Sequence, residues 1–322
     1  MTGLWLVSPV FRDVESFLQL RKRLLEVIGK ETALRHCRSR FVMLDDTAGS
    51  DPAVESLLSL EDVRVIVAPF NLGHQRGIVH ALRVIAPEVQ GDDLIVTMDA
   101  DGEDRPEDLP RLLTPLIDDP TDRSLVVLAR RTKRQTSLRF KVMYIFFTIL
   151  FRILTGTSVR TGNFAAYRGW QARRMLLHPY FDLCYSSTLL SLDLPIRFVP
   201  CERGPRYAGR SRMGFQKLFM HGLRMLMPFI DRIAMRALLL FSITLVTGVI
   251  LAAVVIGIRL FTNAAVPGWA TSTLIGILIV SFVALGSFVT LFAVFSQSRA
   301  ISLSNLEDPG HETTGSPAPP SD

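Results

Sequence analysis

The chain has 322 residues, 48% of them hydrophobic, and its 36 lysines and arginines against 30 acidic residues give a formal charge of +6. This length allows about two domains and a core that folds without metal or disulfide support. The three cysteines, Cys37, Cys184 and Cys201, are widely spaced and form no CxxC pair. Their pattern argues against a disulfide framework or a thiolate zinc site, and it favours a reducing, cytoplasmic setting.

Residues 1 to about 130 alternate short β-type runs with helical patterns, which is typical of βαβ units and a largely parallel sheet. A first crossover helix is predicted over 14–28, because Phe17, Leu20 and Leu24 fall on one face behind Asp13. Strands are predicted at five apolar runs, namely 4–7, 41–44, 63–67, 94–98 and 125–129.

Acidic residues follow the fourth predicted strand, at the end where ligands bind open α/β sheets. The i, i+2, i+4 spacing of Asp99, Asp101 and Glu103 in extended backbone would aim three carboxylates at one point. All-oxygen ligation with no nearby His or Cys suits Mg²⁺ or Mn²⁺, which usually also holds substrate phosphates. A solvated acidic turn is the alternative, and these residues alone leave both interpretations open.

Asp45 and Asp46 follow the second predicted strand. Their carboxylates can accept hydrogen bonds from a nucleobase or ribose, or they can bond the backbone amides of their own turn. The segment NLGHQ, at residues 71–75, follows the third strand, and its glycine permits close backbone approach. By itself that segment is weak support for a nucleotide site.

Two uncharged apolar stretches lie near the C-terminus, at 237–258 and 274–295, and each has about the ~20 residues needed to cross a bilayer. A short connector between them predicts an antiparallel transmembrane hairpin. Arg232, Arg236 and Arg299 flank the stretches, whereas the connector has no Lys or Arg. The positive-inside bias therefore predicts that both chain ends are cytoplasmic.

Two further stretches, near 140–154 and 215–230, are interpreted as interfacial helices, with a buried core helix as the alternative for the first. The predicted organisation is a cytoplasmic α/β domain over 1–230, a hairpin over 231–300 and a cytoplasmic tail over 301–322. Since that tail is rich in Pro, Gly, Ser and Thr, it is predicted to be disordered.

Seven segments, in order, match the motifs of one enzyme family. They are SPVFRDVES, LDDTAGSD (compare VDDGS), FNLGHQRGIVHAL (RNxGHxxA), MDADGEDRPEDLP (DADLQDPPE), VVLARR, TGNFAAYR (TGDFR) and RYAGRSRMGFQKL (RxxGxSKxxxxKL). Together with the hairpin they cover about residues 4–300. The chain thus resembles glycosyltransferase family two, specifically the polyprenyl-phosphate glycosyltransferases, which include dolichol-phosphate mannose synthase and bactoprenol glucosyltransferases.

The resemblance implies a GT-A (Rossmann-like) α/β fold and inverting transfer of a sugar from a nucleotide diphosphate to polyprenyl (undecaprenyl) phosphate. It implies an integral membrane enzyme, of a bacterial-type inner membrane, acting at the cytoplasmic face. By position, Asp99 and Asp101 would hold Mg²⁺ or Mn²⁺ and the diphosphate, with Glu103 as a third candidate ligand. Arg130 would be a catalytic residue facing the phosphates.

The resemblance also implies binding residues for both substrates. Those for the nucleotide sugar are Pro9, Asp45, Asp46 and Asn71, and those for the acceptor phosphate are Arg206, Ser211 and Arg212. The expected partners are therefore the nucleotide sugar, polyprenyl phosphate and the lipid bilayer. No nucleic acid is expected, and a homo-oligomer stays open.

The chain departs from the family pattern at several positions. Glu103 replaces a Gln, Arg105 a Pro, Asn163 an Asp and Arg212 a Lys, while Thr47 and Ala48 lengthen the VDDGS turn. These departures keep the reaction class but leave the sugar and the metal geometry open. Two alternative functions remain, transfer to another lipid acceptor such as a diacylglycerol, and a non-catalytic scaffold or carrier-lipid binding module.

Overall fold

A computed structural model provides the structure of the chain. It describes residues 2–122, 124–131, 138–158, 161–192, 194–208, 215–262 and 268–296. These residues fall into two compact units. The first contains the residues up to Phe146 together with Ser158–Pro228, and the second contains Phe147–Thr157 and the described residues from Phe229 onward.

The strands of the first unit are β1 (Gly3–Val10), β2 (Arg38–Asp45), β3 (Val63–Val67), β4 (Leu94–Thr97), β5 (Val126–Arg131), β6 (Thr161–Arg168) and β7 (Ile196–Cys201). Among the described residues they form one seven-stranded sheet with the spatial order β3-β2-β1-β4-β6-β5-β7. Only β6 runs antiparallel to its neighbours in this sheet, β4 and β5, and the other pairings are parallel. The carboxyl ends of the parallel strands and the amino end of β6 therefore meet at one edge.

Helices connect the strands of this unit and cover the sheet. The first, α1 (Val14–Lys30), places Phe17, Leu20 and Leu24 in the core as predicted, but it extends two residues beyond the predicted end. The Asp13 side chain makes no capping bond to it. The others are α2 (His74–Ile85), α3 (Leu109–Asp118), α4 (Leu138–Thr155), α5 (Gly169–Leu176), α6 (Tyr185–Ser191) and α7 (Phe215–Leu226), after α1 (Val14–Lys30).

Continuous apolar strands form the core of the first unit. The four residues of β4 are all buried, as are seven of the eight in β1, because parallel strands in this fold class are covered on both faces. All five predicted strands are present. The strands β6 and β7, which lie beyond the region where strands were predicted, complete the sheet.

The second unit contains two long helices, α8 (Ile230–Phe261) and α9 (Trp269–Ser296). Both are long and apolar enough to cross a membrane, and both predicted apolar stretches lie within them. Gly248 of α8 faces α9, where an added Cβ would lie 2.6 Å from Ser281 Oγ. Gly248 therefore allows α8 and α9 to pack closely against each other.

The last turns of α4 belong to the second unit. The Phe151 ring packs edge-to-face on Phe229, with ring centroids 5.4 Å apart. Arg236 of α8 donates to the carbonyl of Ile153, in the last turn of α4. Since the final carbonyls of a helix have no partner within the helix, this arginine caps α4.

Candidate active site

The carboxyl edge of the sheet gathers most of the predicted site residues. Asp99 and Asp101 follow β4, Asn163 is the third residue of β6, and Arg206 lies in the segment after β7. Helix α2 starts at this edge with His74, directly after the NLG segment. The topology thus brings together residues from four separate parts of the chain.

The backbone between Asp99 and Glu103 is a turn rather than extended chain. Strand β4 ends at Thr97, and Gly102 takes a φ of 86° in the left-handed region. An added Cβ at Gly102 would lie 2.8 Å from the Tyr207 ring, so glycine is required both by conformation and by space. The predicted i, i+2, i+4 alternation is therefore wrong as the reason for the placement of these carboxylates.

One oxygen of Asp99 has two nitrogen neighbours. His74 Nε2 lies 2.6 Å from Asp99 Oδ1, and Asn163 Nδ2 donates to the same oxygen at 3.0 Å. The amide of Asp99 donates to Asp104 Oδ2 at 3.0 Å. These contacts hold the first aspartate of the Asp-x-Asp pair in a defined orientation.

Asn163 is itself held by a buried polar network. Gln75 Nε2 donates to Asn163 Oδ1, while Gln75 Oε1 accepts from the amide of Ser186 at 2.9 Å. The Thr97 hydroxyl donates to the Asn163 carbonyl at 2.6 Å and lies 2.8 Å from the Tyr185 hydroxyl. Sequence analysis missed Gln75, Thr97 and Tyr185 as site residues, since only their long-range contacts identify them.

The second aspartate and Glu103 face arginines. Arg206 Nη2 lies 3.0 Å from Asp101 Oδ2, and its Nε donates to Glu103 Oε1 at 2.9 Å. Arg203 pairs with the other Glu103 oxygen. Among the residues that the structure describes, no three His, Cys, Asp or Glu side chains form a ready-made metal site.

The pKa of Asp101 reflects its burial and, after that, the crowding of like charges. Burial raises its pKa most, and the neighbouring charge of Asp99 raises it further, so that Arg206, His74 and Arg203 only partly compensate. Burial lowers the pKa of His74, but Asp99, Asp101 and Asp104 together outweigh it and raise that pKa. Because a hard cation relieves such repulsion and prefers carboxylate oxygens, the Asp99 and Asp101 pair fits Mg²⁺ or Mn²⁺.

Asp45 and Asp46 stabilise loops at the same edge. Asp45 Oδ1 accepts from the amide and hydroxyl of Thr47, at 2.9 and 2.6 Å, and its Oδ2 accepts from the Gly49 amide at 3.0 Å. Asp46 accepts from the amides of Leu72 and Gly73, at 2.6 and 3.0 Å. Asp45 therefore fixes its own lengthened turn, as one of the two interpretations predicted, whereas Asp46 fixes the NLG segment.

The remaining predicted site residues are less closely gathered. Pro9 is buried in β1, whereas Asn71 is exposed at the start of the NLG segment. Arg130 is exposed near the carboxyl end of β5, which β6 separates from β4. Ser211 and Arg212 lie outside the described residues.

In this sheet one antiparallel strand, β6, lies beside β4, and an Asp-x-Asp turn follows β4. This arrangement defines a GT-A type of α/β fold. Glycosyltransferases are the class of enzyme that this fold and site indicate. The sequence profile of Glycosyl transferase family 2 matches residues 9–169, half of the chain, so the chain belongs to that family. No curated protein matches the chain significantly.

Several solved structures have a similar fold. Glucosyl-3-phosphoglycerate synthase from Mycobacterium tuberculosis, in complex with Mn²⁺, UDP and glucosyl-3-phosphoglycerate, is 16% identical with a TM-score of 0.48, covering 72% of this chain and 80% of that one. S. aureus TarS residues 1–349 are 11% identical with a TM-score of 0.37, covering 62% and 58%. These similarities are too distant to transfer a substrate.

Proposed function

We propose that this glycosyltransferase moves a sugar, with inversion, from a nucleotide-diphosphate sugar to polyprenyl phosphate at the cytoplasmic face of a membrane. The observation that carries the proposal is the Asp99–Asp101 pair with Arg206 3.0 Å from Asp101, on a chain with two membrane-length apolar helices. Two anionic substrates need such a mixture of carboxylates and guanidinium groups at one edge.

Asp99 and Asp101 would hold Mg²⁺ or Mn²⁺, which when bound offsets the charge of the departing diphosphate. The chain's own residues prepare this pair. Asn163 and His74 orient Asp99 through a shared oxygen, and the turn at Gly102 places Asp101 beside Arg206.

The nucleophile in this reaction is a phosphate oxygen, already anionic at neutral pH, so the enzyme needs to position it rather than deprotonate it. The side chain at position 163 is consistent with this, because an asparagine amide cannot act as a general base. Arginine matches phosphate geometry with its planar fork of donors. Arg206, together with Arg130, Ser211 and Arg212, would therefore bind and orient the phosphates.

The nucleoside would bind beside β1 and β2, near Pro9, Asp45, Asp46 and Asn71. Each carboxylate oxygen has two lone pairs, so Asp45 and Asp46 can accept a ligand hydrogen bond besides those from backbone amides. Burial raises the pKa of Asp46, and the Leu72 and Gly73 amides oppose that shift.

The two apolar helices would anchor the enzyme where the isoprenoid chain of the acceptor is dissolved. The proposed orientation rests on two basic residues in the first two turns of α8, Arg232 and Arg236, and on a connector without Lys or Arg. By the positive-inside bias, both chain ends would be cytoplasmic.

The direct test uses the purified full-length protein with labelled nucleotide sugars, Mg²⁺ or Mn²⁺, and undecaprenyl phosphate. We expect one donor to yield a lipid-linked sugar that requires both the metal and the lipid phosphate. A parallel reaction with diacylglycerol tests transfer to another lipid acceptor. If no donor labels either lipid, the chain is a scaffold or a carrier-lipid binding module, and the proposed function is wrong.

The substitution Asp101→Asn tests the site itself. Because weaker ligation removes a few kcal/mol of leaving-group stabilisation, we expect turnover to fall at least ~10²-fold. The matched control is Asp119→Asn, an exposed aspartate after α3, at the opposite edge of the sheet. Near-normal turnover in Asp101→Asn, or an equal loss in the control, would contradict the assignment.

A further inference from the structure

The turn that carries Asp101 is joined to the segment after β7 by backbone bonds. The amide of Tyr207 donates to the Asp101 carbonyl, and the amide of Gly204 donates to the Glu103 carbonyl, both at 2.9 Å. An isolated antiparallel bridge pairs Asp104 with Arg203. We call residues 101–104 the acidic turn and residues 203–207 the basic segment.

Glycine is required where these two pieces of backbone meet. An added Cβ at Gly204 would lie 2.5 Å from the carbonyl oxygen of Gly102. The two backbones are already in close contact at Gly204, and they cannot separate without breaking the hydrogen bonds described above. The basic segment therefore keeps a fixed register on the acidic turn.

Glu103 lies at the centre of this junction. Its side chain is only 12% exposed, and its two oxygens go to different arginines, Oε1 to Arg206 and Oε2 to Arg203. A carboxylate so placed makes charge-assisted hydrogen bonds, which are stronger than neutral ones. A metal ion would have to compete with a guanidinium group at either oxygen to gain this carboxylate as a ligand.

A glutamine at this position could not make the same pair of contacts. A glutamine side chain has one acceptor oxygen and presents an NH₂ group in place of the other. That NH₂ would face an arginine, and because both groups are hydrogen-bond donors they could not bond to each other. The two-arginine contact therefore depends on the glutamate of this chain.

We infer that Glu103 is a positioning residue, which holds Arg203 and Arg206 in place beside Asp101 before any substrate binds. Its role in the proposed reaction, on which this inference rests, is to present two fixed guanidinium groups to the acceptor phosphate. Ordered donors lose less conformational freedom on binding than mobile ones, so the contacts of Glu103 with the two arginines favour acceptor binding. Glu103 is then not the third metal ligand.

The first test is hydrogen exchange of the full-length protein in EDTA, where a metal ligand has no metal to bind. We expect Glu103→Gln to speed exchange of the Gly204 and Tyr207 amides about tenfold, because breaking a charge-assisted contact loosens the junction. Arg203→Gln removes one of the two ion pairs of Glu103 from its other side and is expected to speed exchange of the same amides. Amides of β1 serve as the reference for the rest of the fold.

The control is Glu107→Gln, a nearby carboxylate that pairs with Arg23 at 2.5 Å and lies 3.7 Å from Arg105. It is expected to leave the Gly204 and Tyr207 amides unchanged. Unchanged exchange in both Glu103→Gln and Arg203→Gln would overturn the inference, and so would an equal effect in the control.

The second test is kinetic. We expect Glu103→Gln to raise the KM for undecaprenyl phosphate about tenfold, with the donor KM within about threefold of wild type. The double variant Glu103→Gln/Arg203→Gln should lose less than the sum of the two single losses, since both changes break the contact between Glu103 and Arg203, while only Glu103→Gln also releases Arg206. Additive losses would overturn the inference. Absence of transfer by the wild type would instead refute the proposed function, leaving the exchange result to decide the role of Glu103.

Discussion

The two compact units place apolar side chains in opposite environments. In the first unit the apolar residues of β1 and β4 are buried. In the second unit apolar residues of α8 and α9 are exposed, for example Val249 at 70% and Leu285 at 45%. The first unit is therefore stabilised by removal of apolar surface from water, whereas the second leaves apolar surface exposed on two helices that are long and apolar enough to cross a membrane.

Polar groups follow the same division. In the first unit a network of Thr97, Gln75 and Asn163 connects the sheet to Asp99. In the second, the half-buried Thr244 and Thr273 bond carbonyls of their own helices, and Arg236 caps α4. Polar groups in the first unit thus build a site, while these polar groups of the second satisfy helix backbone.

The largest expected difference between the two units is their response to a charge placed at an exposed apolar position. Leu285→Arg, near the middle of α9, is expected to disfavour membrane insertion by about 3 kcal/mol. Leu58→Arg, at a position 71% exposed in the first unit, is the matched control, and surface changes of this kind cost within about 0.5 kcal/mol. The membrane-bound fraction after a carbonate wash measures both. An equal membrane-bound fraction for the two variants would contradict this difference between the units.

A smaller effect is expected from filling the contact between α8 and α9. Gly248→Leu places a large side chain against Ser281, and overpacking of this kind costs about 1–3 kcal/mol. Gly257→Leu, on the same helix, is the control because an added Cβ there meets nothing within 4 Å. Thermal unfolding of the full-length protein in detergent should show a lower midpoint for Gly248→Leu only. A lower midpoint for both would show that contact with Ser281 is not the cause.

The smallest effect concerns the buried thiol of the first unit. Burial, reinforced by the charge of Asp108, raises the pKa of Cys201 to about 12 from an ordinary 9.0. Between these values the unfolded chain releases a proton that the folded chain retains, so stability falls as pH rises. From pH 8 to 9.5 we expect wild type to lose about 1 kcal/mol more than Cys201→Ala in urea unfolding. Parallel pH dependence in the two proteins would contradict this shift.

The sequence by itself determined the features that are local along the chain. Apolar runs predicted the five strands, and helical spacing predicted the face of α1, because both patterns depend on neighbouring residues. The uncharged stretches within α8 and α9 were evident for the same reason. The order of motifs was enough to predict the family, which the profile match over residues 9–169 confirms.

Only the tertiary structure decided which distant side chains meet. Asn163 lies 64 positions from Asp99, and Ser186 lies 111 positions from Gln75. Glu103 meets Arg206, 103 positions away, because β7 ends beside the acidic turn. No local pattern encodes these pairs, since they depend on the insertion of β6 and on close backbone approach at Gly204. The assigned partners of Glu103 are therefore a property of the fold, while its position after a buried strand is a property of the sequence.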